Sequence, residues 1–181
     1  MEKTAFEKGL DYTFANEGGF SNDKADRGGA TKFGITIGDL SKWRRRAVSI
    51  QEVRDLSADE AKAIYKAWYW DTLSLDQVRS EGVAICMFDI GVVRGIGVPP
   101  KYAQQICNSH GANLVVDGHV GPKTLLAVNA LDPALFIRDF ASKTKAGFYA
   151  IVAGRPSQIV FLKGWINRAN RLLTLIPKAV A

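Results

Sequence analysis

The sequence predicts a mainly α fold of the α+β kind, in which helices dominate and one small β element is present. Phe6, Leu10 and Phe14 recur every four residues, which is the spacing of one face of an amphipathic helix. The run EGVAICMFDIGVVR at 81–94 is apolar on nearly all faces and predicts a central buried helix. Residues 31–38 alternate between apolar and polar side chains and predict a short strand or hairpin arm.

Capping signals predict where two further helices begin. Ser49 and Glu52 are three residues apart, as are Ser57 and Glu60, which is the spacing of a capping box. Helices are therefore predicted to begin near residues 50 and 58, and the second is expected to run on through Trp70.

The second half of the chain follows a clear break, GIGVPP at 95–100. Asp89, inside the buried run before the break, is expected to take part in a helix cap or a hydrogen-bond network, since an unpaired buried carboxylate is costly. After the break, the predicted helices are 101–109, one with Pro122 in its first turn, 133–153 and 157–174. We therefore expect two regions, residues 1–97 and 98–181, packed together as one globular unit.

Composition limits the possible partners and cofactors. The 181 residues carry a formal charge of +6, which favours encounter with polyanions such as an anionic cell envelope. The basic cluster SKWRRR at 41–46 is too short for a persuasive nucleic-acid site, so a solvated helix face is expected and no nucleic-acid partner. Cys86 and Cys107 lie in apolar runs and predict buried free thiols rather than a disulfide. With two histidines and no metal-ligand spacing, we expect no metal and no cofactor.

One stretch, NEGGFSNDKADRGGATKFGITIG at 16–38, carries the catalytic candidates. Glu17 follows the first predicted helix and precedes a glycine pair, and Asp26 comes nine residues later. Glycoside hydrolysis needs an acid that protonates the leaving oxygen and a second group that activates water or stabilises the transition state. Apolar neighbours such as Phe14 and Phe20 would raise the pKa of Glu17, as a general acid near neutral pH requires. The opposing interpretation is a surface loop with ordinary acidic residues.

Four side chains near these acids are candidates for contact with a sugar substrate. Thr31 or Thr36 could hold a water molecule, and aromatic ring faces suit pyranose rings. The aromatic density of YKAWYW at 65–70 fits either a cleft wall or the core. Asp26 could equally hold the hairpin by accepting backbone hydrogen bonds. The substrate-binding candidates are Phe20, Thr31, Thr36 and Tyr65.

The segment ANEGGFSNDKADRGGATKFGIT closely resembles the signature of the lysozymes of glycoside hydrolase family 108, E-G-G-[YF]-x-N-x-x-x-D-x-G-G-x-T-x-x-G-I-T. Further matches are LSADEAKAIYKAWYWD, the FD of CMFDIG, VDGHVGPKT and FLKGWINR, so the resemblance spans about residues 5–170. The second half resembles the predicted peptidoglycan-binding region that accompanies this catalytic part. One departure is Val93, which stands where relatives tend to have an asparagine.

The resemblance implies a compact lysozyme-like helical domain with a small β-hairpin near the catalytic residue. It implies N-acetylmuramidase activity, which cleaves the β-1,4 bond between N-acetylmuramic acid and N-acetylglucosamine, with the family's catalytic Glu on Glu17. The spacing of Glu17, Asp26 and Thr31 is also similar to the Glu-Asp-Thr arrangement of phage-type lysozymes, although the threonine is one residue nearer. A complete triad is therefore not carried over.

Many proteins of this kind are phage endolysins, and the N-terminal sequence shows no apolar core of signal-peptide length. We expect a monomer that is made in the bacterial host cytoplasm and acts on the cell wall after release through a holin-type pore. The alternatives are a lytic transglycosylase and a non-catalytic cell-envelope-binding protein. The basic C-terminal segment could lie on anionic outer-membrane lipid, or form a packed and half-solvated helix.

Overall fold

The computed structural model describes residues 2–14, 20–21 and 30–177, with 20–21 described for their backbone only. Within these residues the chain is mainly helical with one small antiparallel sheet, which confirms the predicted fold class. The chain divides into two compact units, one of Met1–Gly9 with Tyr69–Ala181 and one of Leu10–Trp68. The boundary predicted after residue 97 is one between a catalytic region and a binding region. The division into compact units does not test that functional boundary. It stays a prediction.

The unit Leu10–Trp68 contains the sheet and three short helices. Its described elements, after the end of α1 (Ala5–Phe14), are β1 (Phe20–Ser21), β2 (Thr31–Lys32), β3 (Ile35–Thr36), α2 (Ile37–Arg44), α3 (Ile50–Arg54) and α4 (Ala58–Tyr65). The strands pair antiparallel in the order β1-β2-β3, with Phe20 opposite Lys32 and Thr31 opposite Thr36.

The predicted β element ends two residues early. Thr36 is the N-cap of α2, and its hydroxyl accepts a hydrogen bond from the Asp39 N–H at 3.1 Å and donates one to the Asp39 carboxylate at 2.7 Å. Because this reciprocal cap starts a helix, Ile37 and Gly38 are helical rather than extended. The alternating pattern therefore overestimated the strand.

The two predicted capping signals are both used, but in different ways. Ser49 forms the full capping box with Glu52, and α3 begins at residue 50 as predicted. Ser57 caps the backbone N–H of Glu60, which confirms the start of α4 at residue 58. The Glu60 carboxylate instead accepts two hydrogen bonds from Arg44, at 2.9 and 2.7 Å.

The basic cluster is partly neutralised within its own unit. Arg44 also donates to Glu52 at 3.0 Å, and Arg46 pairs with the same carboxylate. The hydrogen bond from Arg46, followed by that from the Ser49 N–H, holds the pKa of Glu52 at about 2. Arg45 is exposed, whereas Arg44 is half-buried, so the predicted solvated face applies to only part of the cluster.

The helix after Ser57 does not continue as an α-helix through Trp70. It ends at Tyr65 and is followed by a π-helical turn, Lys66–Asp71. Trp70 is fully buried, its ring lies 5.5 Å from that of Phe88, and its indole N–H donates to Asp76 at 2.6 Å. The wider turn accompanies the burial of this large side chain.

The unit that contains Tyr69–Ala181 is built around a buried central helix. Its α-helices are α5 (Glu81–Arg94), α6 (Val98–Ser109), α7 (Pro122–Ala130), α8 (Pro133–Gly154) and α9 (Ile159–Arg171). Helix α5 has the predicted bounds, and every residue from 83 to 91 in it is buried. Helix α6 begins three residues before its prediction, because Pro99 and Pro100 fit the first turn, where no N–H is needed.

The buried Asp89 of α5 takes part in an ion pair. Arg168 of α9 donates to its two carboxylate oxygens, at 2.9 and 2.7 Å, and Arg171 lies 3.9 Å away. The predicted network role is thus confirmed. Cys86 and Cys107 are both buried free thiols, also as predicted. Among the described helices, none combines the length and apolar character needed to span a membrane.

Candidate functional site

A pocket of about 430 Å³ opens in the unit Leu10–Trp68. The end of α1, the turn between β2 and β3, and one face of α4 form its described lining. Most of this lining is apolar, with Asp11 and Lys62 as its charged members. The lining residues are Leu10, Asp11, Phe14, Phe33, Ala58, Ala61, Lys62 and Tyr65.

Three aromatic side chains from three elements meet at this pocket. The ring centroids of Phe14 and Tyr65 are 4.7 Å apart, with their planes inclined at 52°. The Tyr65 hydroxyl donates a hydrogen bond of 2.9 Å to the Phe33 carbonyl oxygen. Tyr65 is buried, whereas Phe14 and Phe33 are half-buried. Tyr65 therefore contacts the Phe14 ring and holds the main chain at Phe33.

The turn between β2 and β3 has an unusual backbone. Phe33 and Gly34 both have positive φ, 52° and 73°, as the central residues of a type I′ turn do. Gly34 is required here, because a Cβ at that position would lie 2.8 Å from the Tyr65 hydroxyl oxygen. A bulky residue such as Phe33 is strained in this conformation, and such strain tends to occur at functional sites.

Lys32 adds a second anchor for the turn. Its ammonium group lies 5.3 Å from the centroid of the Phe33 ring and donates a hydrogen bond of 2.7 Å to the Arg54 carbonyl of α3. The hairpin is thus tied to α4 through Tyr65 and to α3 through Lys32. This arrangement presents an aromatic ring at the pocket on a rigid support.

The structure brings only some of the predicted site residues to this pocket. Tyr65 lines it. Thr31 is half-buried in β2, and the Thr36 hydroxyl is engaged in the cap of α2. Phe20 belongs to β1 by its backbone. Glu17 and Asp26 lie outside the described residues, so their predicted roles stay predictions.

Sequence reasoning missed Phe33 as a site residue. The residue was counted in an alternating strand pattern, although Phe-Gly between two short apolar-alternating arms could have indicated a two-residue turn. The spacing of Leu10 and Phe14 predicted that they share one helix face. It did not indicate that this face lines a pocket.

The chemistry available at the pocket is that of an apolar, aromatic cleft. Exposed ring faces suit the apolar faces of pyranose rings. Within the ranges that the structure describes, no three His, Cys, Asp or Glu side chains are grouped so that they could hold a metal ion.

Comparison with known proteins identifies the family. The family described as Glycosyl hydrolase 108 matches residues 10–95, and the one described as Predicted Peptidoglycan domain matches residues 98–170. No curated protein matches the chain. A solved structure, titled "Structure of Brucella abortus SagA", is similar over 97% of this chain and 98% of that chain, with 30% sequence identity and a TM-score of 0.77.

These matches bear out the resemblance seen in the sequence. A glycoside hydrolase region followed by a predicted peptidoglycan domain supports hydrolysis of peptidoglycan. The chain belongs to glycosyl hydrolase family 108.

Proposed function

We propose that the protein is an N-acetylmuramidase, which hydrolyses the β-1,4 bond between N-acetylmuramic acid and N-acetylglucosamine in peptidoglycan. The observation that carries the proposal is the aromatic pocket of the family-matched region, whose wall residue Phe14 precedes Glu17 by three positions in the chain. A sugar-sized apolar cleft next in sequence to the family's acid is what a lysozyme needs.

Glu17 is proposed as the general acid. It donates its proton to the glycosidic oxygen as the bond from that oxygen to C1 of N-acetylmuramic acid breaks, so that N-acetylglucosamine leaves as an alcohol. Water then completes the hydrolysis at C1. Asp26 is the candidate for the group that activates this water or stabilises the transition state. An Asp26→Asn variant with full activity and unchanged thermal stability would dispose of both its catalytic and its hairpin-holding roles.

The substrate is proposed to lie against the aromatic pocket. Phe33 offers a ring on a rigid turn, and Tyr65 and Phe14 extend the apolar surface around it. Apolar pyranose faces contact such rings favourably. Phe20, Thr31 and Thr36 remain candidates for further sugar or water contacts.

Glu17→Gln tests the acid directly. The variant should lose about 10²–10⁴-fold in the rate of peptidoglycan hydrolysis, because it removes general acid catalysis. The matched control is Glu7→Gln on α1, where the carboxylate accepts a 2.9 Å hydrogen bond from the Thr4 N–H and caps the helix. The control should keep its activity per folded molecule. A folded Glu17→Gln protein with the wild-type rate would refute the assignment.

Mass spectrometry of the released fragments distinguishes the competing functions. A muramidase gives reducing N-acetylmuramic acid ends, whereas a lytic transglycosylase gives anhydro-muramyl ends. A non-catalytic envelope-binding protein would pellet with purified cell wall and release neither. Only the first result supports the proposal.

We further propose that the protein acts as a phage endolysin, as a monomer that reaches the wall through a separate membrane pore. The charge of +6 supports attraction to an anionic envelope surface, including outer-membrane lipid. Expression in the cytoplasm should leave a culture turbid until its inner membrane is permeabilised, and then lyse it. Lysis without permeabilisation would contradict this route.

A further inference from the structure

A second pocket lies in the unit that contains Tyr69–Ala181, and it shares no lining residue with the aromatic pocket. The loop between α6 and α7, together with the first turn of α7, encloses about 480 Å³. The pocket falls inside residues 98–170, which match the predicted peptidoglycan domain. Neither that match nor the family assigns a ligand to any residue in it.

Two side-chain amides on α6 hold this loop in place. Gln104 is 1% exposed. Its amide nitrogen donates to the Asp117 carboxylate at 2.7 Å and to the His119 carbonyl at 2.9 Å, and its amide oxygen accepts from the Gly118 N–H at 3.0 Å. Asn108, one helical turn further on, bonds both the N–H and the carbonyl of Leu114, each at 2.8 Å. The pocket is therefore preformed.

One oxygen of the Asp117 carboxylate, Oδ1, is used by this support, while Oδ2 accepts no hydrogen bond within the described part of the chain. Oδ1 accepts hydrogen bonds from Gln104 and from the His119 N–H, and these contacts lower the pKa of Asp117. The acid is thus a structural part of the loop. The groups left to meet a ligand are therefore Oδ2 of this acid and the side chains described next.

The remaining lining groups favour a carboxylate-bearing peptide. The side chains of Asn113 and Lys123 make no hydrogen bond or ion pair within the described part of the chain. No side chain caps α7, so the N–H groups of its first turn favour an anion beside Lys123. Val115, which is 77% exposed, and Pro122 add small apolar surfaces.

The same lining is poorly suited to a glycan strand. Among its described residues there is no Phe, Tyr or Trp to stack on a pyranose ring. A peptide whose residues carry free carboxylates and alanine methyl groups matches the cation, the amide and the apolar surfaces instead. The stem peptide of peptidoglycan has this chemistry.

We propose that the pocket between α6 and α7 binds the peptide stem of peptidoglycan, with a stem carboxylate at Lys123 and the first turn of α7. The assignment rests on peptidoglycan as the proposed substrate, but not on cleavage of its glycan. It gives the enzyme two points of attachment, the glycan at the aromatic pocket and the peptide at this one.

The test is a titration of the full-length protein with a synthetic stem tetrapeptide, L-Ala–D-isoglutamate–diaminopimelate–D-Ala. Calorimetry or NMR measures the binding. Lys123→Gln should weaken binding about tenfold, as expected for loss of one charge-assisted hydrogen bond. Asn113→Ala should weaken it as well. The matched control is Lys163→Gln, the same change at an exposed position of α9, and it should bind as the wild type does.

Absence of tetrapeptide binding, or binding that neither pocket variant changes, would overturn the assignment. The assignment would also be overturned if Lys123→Gln weakened the binding of a peptide-free N-acetylglucosamine oligomer as much as it weakened the binding of the tetrapeptide. The tetrapeptide has no glycosidic bond, so its binding does not depend on catalysis. A wild-type protein that binds it but releases no sugar ends would refute the muramidase proposal and leave the pocket assignment standing.

Discussion

Replacement of Asp89 by Asn should destabilise the protein strongly, although the change removes only a charge. The Asp89 side chain is 0% exposed and the Arg168 side chain 20% exposed. The amide cannot accept both guanidinium hydrogen bonds as the carboxylate does, so Arg168 loses the charged partner that Asp89 provides. Removing one partner of a buried ion pair costs about 3–5 kcal/mol.

We expect the lower part of this range, because Arg168 is not fully buried and can regain some water. For a chain of this length, 3–5 kcal/mol corresponds to a fall in Tm of roughly 6–20 °C. The matched control is Glu81→Gln on the same helix. Its carboxylate pairs with Lys8 at 2.9 Å, but the side chains of Glu81 and Lys8 are 46% and 35% exposed.

The assay is thermal unfolding followed by near-ultraviolet circular dichroism, whose aromatic signal reports tertiary packing. Glu81→Gln should lower Tm by no more than about 2–4 °C, since exposed ion pairs contribute little. Replacing the whole pair, as Asp89→Leu with Arg168→Met, should recover stability relative to Asp89→Asn. Equal Tm changes for Asp89→Asn and Glu81→Gln would refute the assignment of the pair as a buried tie between α5 and α9.

Three further predictions follow from the surroundings of single side chains. The pKa of Glu52 is about 2 in the folded protein against an ordinary 4.5, so the carboxylate stabilises the fold above about pH 4.5 and loses this effect as the pH falls towards 2. The Tm difference between the wild type and Glu52→Gln should therefore shrink over that pH range. A constant Tm difference would contradict this prediction. Burial raises the pKa of the Cys107 thiol to about 11, and it also raises the pKa of the Cys86 thiol. Neither thiol should therefore react with a thiol reagent at pH 8 until the protein is unfolded. Phe33→Gly should change the unfolding free energy by less than about 1 kcal/mol, because relief of backbone strain offsets the lost contacts. The same variant should raise KM for peptidoglycan roughly two- to tenfold if the ring contacts sugar.

Helix boundaries were predictable because the signals that set them are local. Ser49 and Ser57 cap the backbone within one turn of themselves, and Pro122 fits a first turn whatever lies around it. The central helix 81–94 was predictable for a related reason, since a segment that is apolar on all faces has to be buried.

Predictions failed where the local structure depends on a residue far away in the chain. The Glu60 carboxylate lies at the right position for a full capping box, yet Arg44, sixteen residues earlier, takes its hydrogen bonds. The α-helix predicted through Trp70 becomes a π-helical turn at a residue buried against Phe88. Neither Arg44 nor Phe88 can be recognised as a partner from a short window of the sequence.

The candidate sites divide in the same way. The family motif led from the sequence to Glu17, and the spacing of the acidic residues led to Asp26. The family match supports the resemblance without testing either role. The positive-φ turn at Phe33, held by the Tyr65 hydroxyl 32 residues away, is visible only in the folded chain. The pocket lined by the loop that Gln104 holds is likewise visible only in the folded chain.

The sequence by itself determined that the chain is mainly helical, where most of its helices begin, and which acid the family motif identifies. These properties depend on spacings of a few residues, through caps, prolines, apolar periodicity and a contiguous motif. Tertiary structure decided which carboxylate each arginine binds, that Asp89 meets Arg168 79 residues later, and which rings line a pocket. Such pairings join residues far apart in the chain, and only the packing of the folded helices brings them within hydrogen-bonding distance.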